Sequence, residues 1–321
     1  MDKHSSMDTK RMEFIDFAKG IGIILVISSH VYGPFMSWAL PCYIPIFYVA
    51  SGFCTIRPVK LNEKFKKLIL PYFLFSIILL IVNNSYNWID WLGILYSRWC
   101  IYPLGSKSNI FLLRSGNAPL WFLTSMFVSF ILFWLLQKSN KPIWLICSYI
   151  TTTYLLAFLP VLLPWSIDTA FLMAIFIFFG VMIRELALLH KINYKWLICL
   201  VLLYVAFRFV CGNVNLSVRI YGRSLFMMLP TALLGSTILL KTSCYFEGSL
   251  WGRIISKIGR HSLTIFCLHI PFIDWWATLY EWLHFNMTPP INGFLCIAFI
   301  IAVTYPISLF VDKYILPLIT K

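Results

Sequence analysis

Long apolar runs dominate the chain, and short polar stretches separate them. About 20 consecutive apolar residues are needed to cross the hydrocarbon core of a bilayer, so these runs predict about ten transmembrane helices. The pattern therefore indicates an all-α polytopic integral membrane protein with its spans in one bundle. The predicted spans cover residues 14–34, 40–56, 67–83, 118–137, 143–163, 167–186, 196–211, 224–240, 262–283 and 291–314.

The composition supports a membrane class for the whole chain. Of 321 residues, 60% are hydrophobic and 12% are charged, against roughly 45–50% and about 25% in soluble domains. Too few polar residues are present to cover a water-exposed surface of this size. No internal repeat or appended soluble segment is visible, so residues 1–321 are predicted to form a single membrane domain.

The basic residues predict how the bundle is oriented. When successive connections are assigned alternately to two sides, most Lys and Arg residues fall on the side that carries Lys3, Lys10 and the 57–67 connection. Cytoplasmic connections carry this excess in membrane proteins, so both termini are expected in the cytoplasm. The net charge of +14 is thereby explained by topology, and no nucleic-acid partner is expected.

Three ionisable residues lie in the first predicted span, where each is a candidate for function because burial of charge in lipid is costly. Asp16 and Lys19 are three positions apart and can pair on one helix face. Lys19 and His30 lie within about 20° of one face and roughly 16 Å apart along the axis, so they can line one cavity. The plainer interpretation is that Asp16 and Lys19 anchor the helix at the interface while His30 hydrogen-bonds a neighbouring helix.

These residues belong to a longer motif that resembles the bacterial acyltransferase 3 family, and in particular its fucose 4-O-acetylase-like members. The motif is D-F-A-K-G-I-G-I-I-L-V-I-S-S-H from Asp16 to His30, followed by P-I-F-Y-V-A-S-G-F from Pro45 to Phe53. Lys19 departs from the Arg that is usual at its position. Further matching segments are L-P-Y-F at 70–73, L-W-F-L at 120–123, W-S-I-D-T-A at 165–170 and G-R-H-S-L-T-I-F-C-L-H at 259–269.

The resemblance implies a multi-pass enzyme of the bacterial cytoplasmic membrane that transfers an acyl group, commonly acetyl from acetyl-CoA. The implied acceptor is a hydroxyl group of a cell-surface carbohydrate, such as an O-antigen, capsule or exopolysaccharide. Acetyl-CoA is then a co-substrate, and the lipid bilayer and the carbohydrate are the other partners. No permanently bound cofactor is implied, and no His, Asp or Glu cluster has the spacing of a metal site.

His30 is the predicted catalytic residue, either as a general base for the acceptor hydroxyl or as a nucleophile that forms an acyl-imidazole. Ser51, Trp121 and His269 are expected in the cavity, although helix packing explains each of them as simply. The anionic donor needs cations at the cytoplasmic mouth, and topology explains Arg57, Lys66 and Lys67 equally well. The predicted donor-binding residues are Lys19, Asp16, Arg57, Lys66 and Lys67.

Other classes of protein fit part of the pattern. A transporter or flippase for a polysaccharide or sugar precursor also uses charges within spans, but no inverted repeat is visible. A structural or signalling membrane protein needs no Asp, Lys and His in one span. A different multi-span acyltransferase superfamily also uses a membrane His, but it lacks the first-span motif.

Overall fold

The computed structural model describes residues 11–31, 39–84, 87–103, 110–112, 118–284 and 287–320. Several residues used to predict the orientation lie outside these ranges: Lys3, Lys10, Lys107, Arg114 and Lys321. The helices are α1 Glu13–His30, α2 Pro45–Phe53, α3 Leu61–Val82, α4 Trp88–Tyr96, α5 Trp121–Lys138, α6 Pro142–Leu156, α7 Ile167–Glu185, α8 Leu188–Lys191, α9 Tyr194–Cys211, α10 Leu225–Phe246, α11 Leu250–Arg260, α12 Ser262–Trp282, α13 Pro289–Phe310 and α14 Leu316–Thr320. A small antiparallel hairpin pairs β1 Val214–Asn215 with β2 Ile220–Tyr221, and a π-helical turn at Val311–Ile315 joins α13 to α14.

Within the described residues, seven helical segments are long and apolar enough to cross a membrane. They contain α3, α5, α7, α9, α10, α12 and the continuous α13–α14 segment. The chain is therefore an all-α membrane protein, as the apolar runs predict. The predicted number of ten spans and the cytoplasmic termini are not confirmed, and they stay predictions.

The three remaining predicted spans differ from the others in length or charge. Helix α1 has 18 residues but carries Glu13, Asp16 and Lys19 in its first two turns. Helix α2 has nine residues and is roughly 13 Å long, less than half the hydrocarbon thickness. It begins at Pro45, which has no backbone N–H to continue a helix from the preceding turn. Helix α6 is apolar but ends after 15 residues.

Glycines bring the backbones of central helices into direct contact. A Cβ atom on Gly52 of α2 would collide with the carbonyl oxygen of Ile177 in α7, and one on Gly180 of α7 would collide with that of Val49. Close approach at small residues is typical of helix packing in membranes, where dispersion contacts replace the hydrophobic driving force. The short helix α2 is thereby held against the mostly buried α7.

The peripheral helix α9 shows what covers the outside of the bundle. Trp196, Leu202 and Phe209 are 62%, 65% and 69% exposed, and Cys211 is the one buried residue of this helix. Large apolar side chains exposed along a whole helix are unstable in water but stable in hydrocarbon. This surface is suited to lipid.

A buried ion-pair cluster ties together the connections at the His30 end of the bundle. Arg98 and Arg219 both pair with Asp168 at the start of α7, and Arg219 Nε lies 3.3 Å from Asp168 Oδ2. Arg98 Nε also donates to the Leu163 carbonyl at 3.1 Å, and its Nη1 donates to that of Ser217 at 2.5 Å. Burial lowers the pKa of Arg98, and the Asp168 carboxylate opposes that shift. The cluster therefore fixes three connections around one carboxylate.

Candidate functional site

Two cavities lie along α1, one at its Lys19 end and one at its His30 end. The first, called the lysine cavity, has a volume of about 230 Å³ and is lined by Lys19, Lys64 and Lys67. The second, called the histidine cavity, has a volume of about 520 Å³ and is lined by His30 and Trp121. Residues of α1, α5 and α12 line both cavities, so the same helices position both sets of side chains.

The lysine cavity combines cations with apolar walls. Lys19 comes from α1, and Lys64 and Lys67 come from the first two turns of α3. Ser51, one of the residues predicted for a single cavity, lines it as well, together with apolar side chains that include Phe122. Such a site can hold a phosphate-rich group at its cationic side and an apolar chain further in.

Other predicted donor-binding residues lie elsewhere. Asp16 is buried, and its carboxylate pairs with Arg11 at 2.5 Å and with Arg260 at 3.4 Å. Its neighbour Lys19 instead lines the lysine cavity. Arg57 and Lys66 are exposed and lie outside the lining of that cavity. The structure thus brings Lys19, Lys67 and Ser51 together, but not Asp16, Arg57 or Lys66.

The histidine cavity has a different chemistry, with several aromatic rings and several neutral polar groups. Trp121, at the first position of α5, is buried and lines it. Asn213, Asn215 and Ser217 reach the cavity from the segment around the β-hairpin. Amide and hydroxyl groups both donate and accept hydrogen bonds, so this cavity suits a polar, uncharged ligand.

His30 and His269 face each other at this end of the bundle. Their ring centroids lie 5.2 Å apart, and the planes are inclined by 50°. His269 Nδ1 lies 2.7 Å from the Phe266 carbonyl oxygen, which can only accept, so Nδ1 carries a proton. In the neutral ring Nε2 is then an acceptor, and it is buried with no hydrogen-bond partner among the described residues. The ring that carries this free lone pair therefore packs beside the predicted catalytic imidazole.

The ring of Phe266 separates the two cavities. Phe266 lines both of them, and its centroid lies 4.9 Å from that of Phe122. Lys19 and His30 thus line two adjoining cavities in this structure rather than one. Sequence reasoning missed Phe266 because a phenylalanine within an apolar span has no distinguishing local pattern.

Comparison with known proteins bears on this arrangement. The model of a protein family described as an acyltransferase domain matches residues 12–309, nearly the whole chain. The matched region includes both cavities, both histidines and the Asp168 cluster. A comparison with curated proteins finds no match.

Proposed function

Because the chain belongs to the acyltransferase 3 family and is a membrane acyltransferase, we propose that it transfers an acetyl group from acetyl-CoA to a hydroxyl of a cell-surface carbohydrate. The acceptor is an O-antigen, capsule, exopolysaccharide or similar glycan, and the enzyme lies in the bacterial cytoplasmic membrane. The observation that carries the proposal is the pair of adjoining cavities, one cationic and one polar and uncharged, with His30 beside the partition.

The lysine cavity is the proposed donor site. Coenzyme A carries several phosphate charges on a nucleotide and an uncharged pantetheine arm, which matches cations at Lys19, Lys64 and Lys67 followed by apolar walls. The axial distance of roughly 16 Å between Lys19 and His30 is of the order of that arm. Phosphates held near Lys19 therefore allow the thioester to reach the neighbourhood of His30 after the Phe266 ring rotates.

The histidine cavity is the proposed acceptor site. A sugar presents many hydroxyl groups and one apolar ring face, and the cavity offers Asn213, Asn215 and Ser217 together with Trp121. Amides pair with hydroxyls in both directions, and an indole face packs on the apolar side of a sugar ring. An acceptor bound here lies on the same side of the partition as His30.

His30 then serves as the proposed general base. Its neutral imidazole takes the proton of the acceptor hydroxyl while that oxygen attacks the thioester carbonyl carbon. The new C–O bond forms, the C–S bond breaks, and the proton passes from His30 to the departing sulfur, which leaves coenzyme A as the thiol. In the alternative route, the imidazole nitrogen attacks the thioester carbonyl carbon, a C–N bond forms and the C–S bond breaks. The acceptor hydroxyl then attacks this acyl-imidazole, the C–O bond forms, the C–N bond breaks, and the hydroxyl proton restores the neutral imidazole.

His269 is proposed as a positioning residue for His30. The lone pair on its Nε2 can accept a hydrogen bond from one N–H of His30, which leaves the other nitrogen of His30 unprotonated and aimed away from His269. The hydrogen bond to the Phe266 carbonyl fixes His269 in the tautomer that this role requires.

The proposal is tested by acetyl transfer with purified protein in lipid, using labelled acetyl-CoA and a panel of sugars and extracted glycans. Native protein is compared with His30→Ala and with His190→Ala, which removes an exposed histidine outside both cavities. Native protein and His190→Ala are expected to transfer label, whereas folded His30→Ala is expected to lose transfer. Label retained on the protein before acceptor is added identifies the acyl-imidazole route.

Two results contradict the proposal in different ways. Transfer by His30→Ala at the native rate removes His30 as the base but keeps the enzyme. Sugar binding without any consumption of acetyl-CoA by the native protein points instead to transport of a sugar or polysaccharide.

A further inference from the structure

The position of helix α11 along the chain limits the environment that can surround it, whether water, lipid headgroups or acyl chains. It follows α10 after a short turn at 247–249, and α12 begins two residues after it ends. Both α10 and α12 are long and apolar enough to cross a membrane. A helix that joins the end of one span to the start of the next lies at a membrane face, where headgroups and acyl chains meet.

One sector of α11 is occupied by small residues that contact α1. At 100° per residue, Gly252, Ser256 and Gly259 share a sector about 60° wide. Ser256 Oγ donates to the Glu13 carbonyl at 3.0 Å, and a Cβ on Gly259 would collide with the carbonyl oxygen of Asp16. This sector is therefore filled by the protein itself.

A second sector is apolar and exposed. Leu250, Trp251 and Ile254 are 64%, 64% and 42% exposed, and they lie within about 100° of one another around the helix. Water is a poor solvent for such a surface, whereas tryptophan and aliphatic side chains are stable at the boundary between headgroups and acyl chains.

The third sector is cationic and directly adjoins the apolar one. Arg253, Lys257 and Arg260 are exposed and lie within about 60° of one another. Arg260 already pairs with Asp16, while α11 itself contains no acidic residue, and Glu247 is the acidic residue of the preceding turn. Arg253 and Lys257 therefore carry positive charge beside an apolar surface at a membrane face.

We propose that α11 is a binding site for an anionic phospholipid. The headgroup phosphate lies on Arg253 and Lys257, and an acyl chain lies along Leu250, Trp251 and Ile254. A soluble anion binds the cations but leaves the apolar sector exposed to water. A zwitterionic lipid covers the apolar sector, but its neutral headgroup is attracted only weakly by the cations. An anionic lipid contacts both sectors, because its charged headgroup adjoins its acyl chain just as the cationic sector adjoins the apolar one.

Lipid binding here has a structural consequence for α1. The small-residue sector holds α11 against the turns of α1 that carry Glu13 and Asp16. A lipid that binds the folded pair but not the unfolded chain stabilises the fold by mass action. We therefore expect anionic lipid to raise the unfolding temperature of the purified protein more than zwitterionic lipid does, whether or not acetyl transfer is measured.

The experiment titrates the full chain in detergent with phosphatidylglycerol or phosphatidylcholine and follows lipid retention by native mass spectrometry and thermal unfolding. The double variant R253Q/K257Q removes the cations from exposed positions, and K191Q/K195Q removes two exposed cations near α9 as the matched control. With about 1 kcal/mol per basic residue near a membrane surface, the double variant is expected to bind phosphatidylglycerol roughly thirtyfold more weakly. The control is expected to bind it as the native protein does.

A second variant tests the apolar sector without a change in charge. Ile254→Ser is expected to weaken the binding of long-chain phosphatidylglycerol and to leave that of its short-chain analogue almost unchanged. Three results overturn the proposal. The first is equal affinity of the native protein for phosphatidylglycerol and phosphatidylcholine, and the second is unchanged affinity for phosphatidylglycerol in R253Q/K257Q. The third is full displacement of phosphatidylglycerol by inorganic phosphate at equal concentration. The last result identifies a site for soluble anions instead.

Discussion

His30 and His269 lie with their ring centroids 5.2 Å apart although they belong to the first and the twelfth helix. The Phe266 carbonyl fixes the proton of His269 on Nδ1, so Nε2 of the same ring is free to accept a hydrogen bond. The same turn of α12 carries Phe266, which separates the two cavities. One short segment of α12 thus carries both the neighbour of the proposed base, His269, and the ring between the cavities, Phe266. The two residues can be substituted separately.

Loss of His269 is expected to lower the rate of transfer rather than the binding of the donor. His269→Ala removes the acceptor that is proposed to orient His30, and misplacement of a catalytic group by about 1 Å costs on the order of 100-fold in rate. The KM for acetyl-CoA is expected to stay near the native value because the lysine cavity is intact. Steady-state kinetics separate kcat from KM, and a variant whose kcat is native shows that His30 needs no such partner.

Lys19 is expected to contribute mainly to donor binding. A charge-assisted hydrogen bond is worth about 1.5–3 kcal/mol, so Lys19→Ala is expected to raise the KM for acetyl-CoA by about tenfold or more. Lys19→Arg keeps the charge and is expected to bind the donor. Lys66→Ala is the comparison, since Lys66 is exposed and outside the cavity lining; equal effects of Lys19→Ala and Lys66→Ala argue for a diffuse charge effect.

Removal of the Phe266 ring is expected to join the two cavities. In Phe266→Ala, water from the histidine cavity reaches the thioester more easily, so the ratio of acetyl-CoA hydrolysis to acetyl transfer is expected to rise several-fold. Release of labelled acetate and labelled glycan, measured in one reaction, gives that ratio. Phe272→Ala truncates a buried phenylalanine on the same helix that lines neither cavity; if it raises the ratio equally, general loosening of α12 is the cause.

The Asp168 cluster is expected to matter for stability. Asp168→Asn leaves Arg98 and Arg219 buried without their carboxylate, and removal of one partner from a buried pair costs about 3–5 kcal/mol. The free energy of unfolding in detergent measures this loss. Glu63→Gln disrupts the exposed pair of Lys60 and Glu63, which lies at 3.2 Å, and is expected to change stability far less because water screens that pair. Similar losses in both variants contradict a structural role for the cluster.

The sequence predicts features that depend on local periodicity. An apolar run at 196–211, interrupted only by Arg208, identifies α9, and helix geometry alone places Lys19 and His30 near one face of α1. Hydropathy averages over proline, so it does not detect that α2 begins only at Pro45. It also does not detect the end of α6, because the apolar residues after Leu156 extend the run beyond this helix of 15 residues.

Features that depend on contacts between distant segments were not predictable from one sequence. Arg260 reaches Asp16 across most of the chain length, whereas spacing suggests Lys19 as its partner. Arg98 and Arg219 have the pattern of ordinary charges in connections between spans, and only the fold brings both of them to Asp168. The local sequence around Phe266 likewise does not show which ring of α5 it contacts.

The contact between Phe122 and Phe266 also bears on the energetics of the cell. Cavities that enter a membrane protein from opposite ends shorten the insulating layer between them, and a water-filled connection conducts protons and small ions down their electrochemical gradients. Two aromatic rings 4.9 Å apart place apolar atoms between the two cavities, where such a connection would have to run. An acyltransferase with such a partition can therefore operate in an energised membrane without acting as an uncoupler.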